Sequence, residues 1–204
     1  MAATECGDLV EMRWLLRQLQ TEGLLTNSKE SDTRYYLSLN GLDRMETGVE
    51  ALLSKTAFVA MWFSDDVSQA YKRGIEPGIR DAGYSPLRID AVEHADKIDE
   101  RIVSEIRRAR FLVCDFTCGL LPDDDALSGQ SAVARGGVYY EAGLAHGLGK
   151  PVIWTCRKDL LDHVHFDTRQ YNFITWETGK EDRLREELAL RIRAVMTQHV
   201  VKEV

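Results

Sequence analysis

Apolar residues recur every three or four positions at Leu9, Met12, Leu15, Leu16 and Leu19, which predicts one helix ending at Glu22-Gly23. Two short β-like runs follow, Leu24-Leu25-Thr26 and Arg34–Leu39. The polar stretch 27–33 joins them as a hairpin, and a short helix starts near Asn40. From Ala57 the pattern changes. AFVAMWF (57–63) is a continuous apolar run, as in a strand buried on both faces. Val67, Tyr71, Ile75, Ile79 and Ala82 follow at helical spacing as far as Gly83, with Pro77 as a candidate kink. SPLRID (85–90) predicts a second strand, and Ile98, Ile102, Val103, Ile106 and Ala109 an amphipathic helix. FLVCDF (111–116), PVIWTC (151–156) and NFITW (172–176) are three more strands. A small-residue helix over 137–149 precedes the fourth strand, and Leu184, Leu188, Ile192 and Val195 mark a closing helix. This alternation predicts an α/β fold, an open parallel five-stranded sheet with helices on both faces. The chain thus divides into a small module, 1–54, and a larger domain, 55–204.

Composition narrows the class. The 204 residues are 44% hydrophobic and 29% charged, with a net charge of −7. These values exclude a disordered tail, a fibre and a disulfide-dense miniprotein, and give no basic field for nucleic acid or an anionic membrane. No apolar run reaches the roughly 18 residues of a membrane helix. The first residues lack the basic and apolar regions of a signal peptide, so the expected location is cytoplasmic. Cys6, Cys114, Cys118 and Cys156 form no CxxC pair and have no histidine at zinc-ligand spacing, so they read as reduced, non-catalytic thiols with no metal site.

The order helix, EGLL, hairpin, YLSLNGLDRME in the N-terminal module resembles the second half of a winged-helix domain. Its charge speaks against a nucleic-acid partner. Arg13, Arg17, Lys29, Arg34 and Arg44 face Glu5, Asp8, Glu11, Glu22, Glu30, Asp32, Asp43, Glu46 and Glu50, a net of −4 over residues 1–50. A packing or dimerisation role is the expectation.

In an open parallel sheet, ligands bind beyond the carboxyl ends of the strands. Met61, Trp62, Phe63 and Ser64 end the first strand there, and Thr117 opens the 20-residue stretch to Gly136 that follows the third. That acidic, small-residue stretch reads as a lid or as a solvated loop. Trp62 and Phe63 could stack on a base or pack in the core. In the helix that follows, only Glu141 and His146 ionise between Gly136 and Gly149. A lone carboxylate in a buried helix is costly unless it is satisfied or has a task. Glu141 lies near the helix start, where Gly136 and Gly137 allow close approach of a ligand. His146, five residues on, faces away from it.

FVAMWF, KIDERIVSEIRRARFLVCDFT, ARGGVYYEAGLAHGLGKPVIW and HFDTRQYNFITW together resemble the nucleoside 2-deoxyribosyltransferase-like group, over roughly residues 55–200. This group includes nucleotide N-glycosidases and borders on TIR-like domains. The resemblance implies a flavodoxin-like fold, no metal or organic cofactor, and Glu141 as the nucleophile at an anomeric carbon. The departing base needs a proton, for which Asp90 and Asp99 are candidates. Asp115 is a third, or a hydrogen-bonded structural residue. Where such enzymes often carry an acid or serine, this chain has Arg135, a phosphate-binding type, which tilts the substrate from a nucleoside towards a nucleotide. HFDTRQY takes a largely structural role, with Asp167 and Arg169 as a possible pair. The function implied is cleavage or transfer of an N-glycosidic bond. The alternatives are a TIR-like NAD hydrolase and a nucleotide-sensing regulator without turnover. A homo-oligomer is compatible with each.

Overall fold

The structure, a computed structural model, describes residues 8–28, 31–89, 98–120, 132–133 and 136–202. The chain divides at Leu53/Ser54 into two units.

In the first unit, Asp8 caps helix α1 (Leu9–Thr21), its side-chain oxygen accepting from the Val10 and Glu11 N–H groups at 2.8 Å each. Strands β1 (Leu25–Ser28) and β2 (Ser31–Leu37) form an antiparallel hairpin, with Leu25 opposite Leu37 and Asn27 opposite Tyr35. The strands reach further into the polar stretch than the hydrophobic pattern predicts, because cross-strand hydrogen bonds do not need apolar side chains. Helix α2 (Leu39–Leu53) spans 15 residues and is not the short helix expected. Thr47 and Gly48 are weak helix formers that interrupt the pattern, yet they do not stop the helix. Helix, hairpin and helix is a general arrangement, and the winged-helix likeness finds no support beyond it.

The second unit is built on one five-stranded sheet in the order β4-β3-β5-β8-β9. The strands are β3 (Thr56–Ala60), β4 (Ser85–Leu87), β5 (Phe111–Asp115), β8 (Val152–Arg157) and β9 (Ile174–Trp176). Every neighbouring pair is parallel. Taken in chain order, the strands run second, first, third, fourth, fifth, which is the flavodoxin-like order. Strand order reverses between β3 and β5, so their carboxyl ends flank the crevice where ligands bind in such sheets.

Strands β3, β4 and β9 are shorter than the apolar runs that announce them. AFVAMWF leaves the sheet after Ala60, opposite Cys114, although Met61 stays buried. An apolar run reports burial, and ladder pairing ends earlier because the chain must turn towards the next helix. That next stretch is not one continuous α-helix. Helix α3 (Asp65–Gln69) passes into a π-helical turn (Ala70–Ile75) and then into α4 (Glu76–Asp81), and the Glu76 N–H bonds the Tyr71 carbonyl five residues back. The widened turn sits just ahead of Pro77, which has no N–H to give. Gly74 and Gly78 bring this segment hard against α7 (Glu181–Lys202). A Cβ at Gly74 would lie 2.6 Å from Leu184 Cδ2, and one at Gly78 would lie 2.9 Å from the Arg185 carbonyl oxygen.

Side chains alternate across the sheet. Val59, Val113, Ile153 and Trp176 join Leu184, Leu188 and Ile192 of α7 on one face. Phe58, Leu112, Cys114 and Trp154 join α5 (Ile98–Arg108) and α6 (Gly136–Gly147) on the other. The ends of the stretch 117–136 pair as two short strands, β6 (Gly119–Leu120) and β7 (Ala132–Val133). The lid expected between them lies outside the described residues. Among the described residues no helix is long and apolar enough to cross a membrane.

Candidate active site

Helix α6 follows the long loop, and its first turn stands at the carboxyl edge of the sheet because the preceding strand, β5, ends there. Val138, Ala142 and Ala145 are its buried stripe. Small residues at these positions let the helix lie close on β3, β5 and β8. Glu141 flanks that stripe in the second turn. Burial pushes its carboxyl up to about 7 from the ordinary 4.5. Among the described residues no hydrogen bond or ion pair offsets that burial. Its charge is felt at Cys114, whose thiol is raised well above its usual value first by burial and then by the Glu141 and Asp115 carboxylates. Glu141 thus sits beside the carboxyl half of β5, at the crevice. The helix start in front of it is open. Gly136 and Gly137 are exposed, and a Cβ at either would meet no described atom within 4 Å. These glycines therefore do not serve close packing against the described residues.

Asp115 is the contrasting carboxylate. It is fully buried and points to the α7 face, as alternation along β5 requires. Its Oδ2 accepts from Thr155 Oγ1 at 2.7 Å and from Trp176 Nε1 at 2.8 Å, and its Oδ1 from the Thr117 N–H at 3.1 Å. Burial raises its pKa while these bonds oppose the rise. It therefore ties β5 to β8 and β9 and cannot serve Glu141 from across the sheet. Thr117 belongs to the same knot. Fully buried, it accepts from the Arg157 N–H at 3.0 Å and bonds Asp115 with its side chain, so it faces no ligand.

The remaining expected residues are divided. Met61 is buried in the core and Trp62 packs against it, which leaves Phe63, 47% exposed, as the aromatic surface after β3. Ser64 caps α3, accepting from the Asp66 N–H at 3.3 Å. Asp90 and Arg135 lie outside the described residues, as does the side chain of Asp99, whose backbone is the second residue of α5. The structure brings Phe63, Tyr71 and Arg88 together. The Arg88 guanidinium lies 4.2 Å from the Tyr71 ring centre and 5.2 Å from that of Phe63. Sequence reasoning passed over Arg88. Its only signal was a cation at the carboxyl end of the second strand.

His146 faces away from Glu141 as expected, with its Nδ1 3.4 Å from the Tyr171 hydroxyl. Tyr171 stacks on Trp154 at 4.2 Å between ring centres, and Phe116 stacks on Trp154 as well, at 4.9 Å. HFDTRQY is thereby a cover for the α6 face of the core. Asp167 pairs with His165 at 3.5 Å, and no Asp167–Arg169 pair is found among the described residues. Cys114, Cys118 and Cys156 are buried, and burial raises the Cys156 thiol as it does that of Cys114, which leaves neither of these two a ready thiolate. Among the described residues no group of three or more His, Cys, Asp or Glu could hold a metal ion. A groove at the β9 end of the edge is lined by Lys158, Glu177, Lys180, Arg183 and Glu187. It is neutralised from within, by Lys180–Glu177 and Arg183–Glu187 pairs at 2.7 Å.

No family model matches the chain, and no curated protein matches it. Among solved structures, a 2-desoxiribosyltransferase from Leishmania mexicana is similar in part. It shares 20% identity at a TM-score of 0.38, over 50% of this chain and 65% of that one. The match thus spans less than two thirds of that protein, and a likeness of this degree carries no function across.

Proposed function

We propose that the unit Ser54–Lys202 cleaves or transfers across the N-glycosidic bond of a nucleoside or nucleotide, with Glu141 as the nucleophile. The observation that carries this reading is the carboxyl of Glu141, raised to about 7 by burial alone, at the open start of α6 over the crevice of the sheet. A structural glutamate would be expected to hold a partner. A carboxylate that is desolvated and has no partner among the described residues is instead suited to covalent catalysis.

In the proposed reaction one Glu141 oxygen donates an electron pair to the anomeric carbon as the carbon–nitrogen bond breaks. The base leaves with that bond's electrons and takes a proton from Asp90 or Asp99, the two candidate acids. Water, or a second base, then attacks the anomeric carbon of the glycosyl ester, gives its proton to the aspartate that protonated the first base, and returns Glu141 to the carboxylate. Phe63 offers a face for the base, and Arg135, next to Gly136, suits a phosphate.

The test is chromatography of purified protein incubated with nucleosides, deoxynucleotides and NAD, beside Glu141→Gln. Base released by the wild type and not by the variant supports the reading, and the productive substrate identifies the class. No release, with a nucleotide that still raises the melting temperature, would replace it by a sensing role.

A further inference from the structure

The first unit leaves its apolar side chains uncovered. Among the described residues, twelve of the seventeen exposed large hydrophobic side chains lie at or before Leu53, in a quarter of the chain. On α2 they are ordered. Leu42, Met45, Val49 and Leu52 stand at 38, 50, 48 and 45% exposure, and their spacing of three, four and three is the a/d pattern of a helix that packs along another helix. All four a and d positions are apolar, and Leu39 and Leu53, at 87 and 76% exposure, stand in the flanking row, with Glu46 between them in the sequence. A 15-residue helix with such a stripe is marginal in water without a partner.

We propose that this seam is a dimerisation surface, covered by the α2 seam of a second copy of the chain. A seam that is apolar at every a and d position is complementary to itself. Paired about a two-fold axis, each seam meets the same residues, with the β-branched Val49 at an a position and Leu52 at a d position, as two-stranded coiled coils favour. Six apolar side chains, roughly half to fully exposed, amount to on the order of 500 Å² per chain. Doubled across the axis, that is about 1,000 Å², the size at which specific association begins. Interfaces at that lower limit are weak, so an apparent Kd on the order of 10 µM is expected.

Light scattering of the full chain over about 1–200 µM tests this. The expected result is a mass that rises from one chain towards two. Val49→Glu should hold it at one chain, because like charges would then meet at the seam, and should bring the melting temperature at about 200 µM down to that of the dilute wild type. A wild type that stays a single chain over that range would overturn the proposal. So would a dimer that Val49→Glu does not disturb. A single-chain wild type whose melting temperature falls on Val49→Glu would also overturn it, and would assign the seam's cover to the same chain. Val49→Cys provides a second reading should the glutamate variant not fold. On mild oxidation it should give a two-chain band absent from the oxidised wild type, and failure to cross-link would count against the paired seam.

Discussion

Two carboxylates on neighbouring elements of the second unit share one sheet and differ in what surrounds them. Asp115 is fully buried and holds Thr155, Trp176 and Thr117 by hydrogen bonds, so its burial is offset and its position fixed. Glu141, on the opposite face, is lifted to about 7 with no such offset among the described residues. Burial raises both, and donors oppose the rise only at Asp115 among the described residues. The difference separates a carboxylate that ties strands together from one whose burial is not offset by the described part of the fold.

Breaking the Asp115 side of the comparison should cost most. Asp115→Ala leaves the Trp176 and Thr155 donors buried and unpaired, and a loss of about 4 kcal/mol in urea unfolding is expected. A loss below about 1 kcal/mol would remove its role as a tie. Glu141→Gln should do the reverse. The folded-state carboxyl titrates near 7 and the unfolded one near 4.5, so the folded state binds more protons between those values. Stability is therefore highest below the lower value and falls as pH rises through that window. Against that curve the glutamine variant should be up to about 3 kcal/mol more stable than wild type at pH 8 and equal to it near pH 4, as read from paired unfolding curves.

Activity sharpens the same contrast. If the carboxylate attacks, kcat/KM for base release should rise with pH about a midpoint near 7, and lie about tenfold below its plateau at pH 6. A flat profile across that range would mean another group limits the step. The smallest effect belongs to Trp176→Phe, which removes one donor from Asp115. A loss of about 1 kcal/mol is expected, with the pH midpoint of activity unmoved.

Much of the second unit was legible in the sequence, because the alternation of apolar runs with helical stripes follows directly from burial on two faces of a parallel sheet. Glu141 stood out for a related reason, since it is the one carboxylate in a helix composed mostly of small and apolar residues. The role of Asp115 was not, because its donors lie 40 and 61 residues further along and meet it only through strand register. The same holds for the Phe63–Arg88–Tyr71 cluster. Strand ends were overrun where Met61 and Phe173 are apolar for packing and not for pairing. The π-helical turn left no periodic trace, since one added residue shifts the helical phase without breaking it.

The pairing of Gly119–Leu120 with Ala132–Val133 has a bearing on how this unit could diversify. It clamps both ends of an eleven-residue stretch, 121–131, at the carboxyl edge. With the ends clamped, doubling the length between them adds only about 0.6 kcal/mol of closure entropy. Neither strand order nor the Asp115 knot depends on what is spliced in. A clamp of this kind lets the length between its strands change at little cost to the sheet beneath.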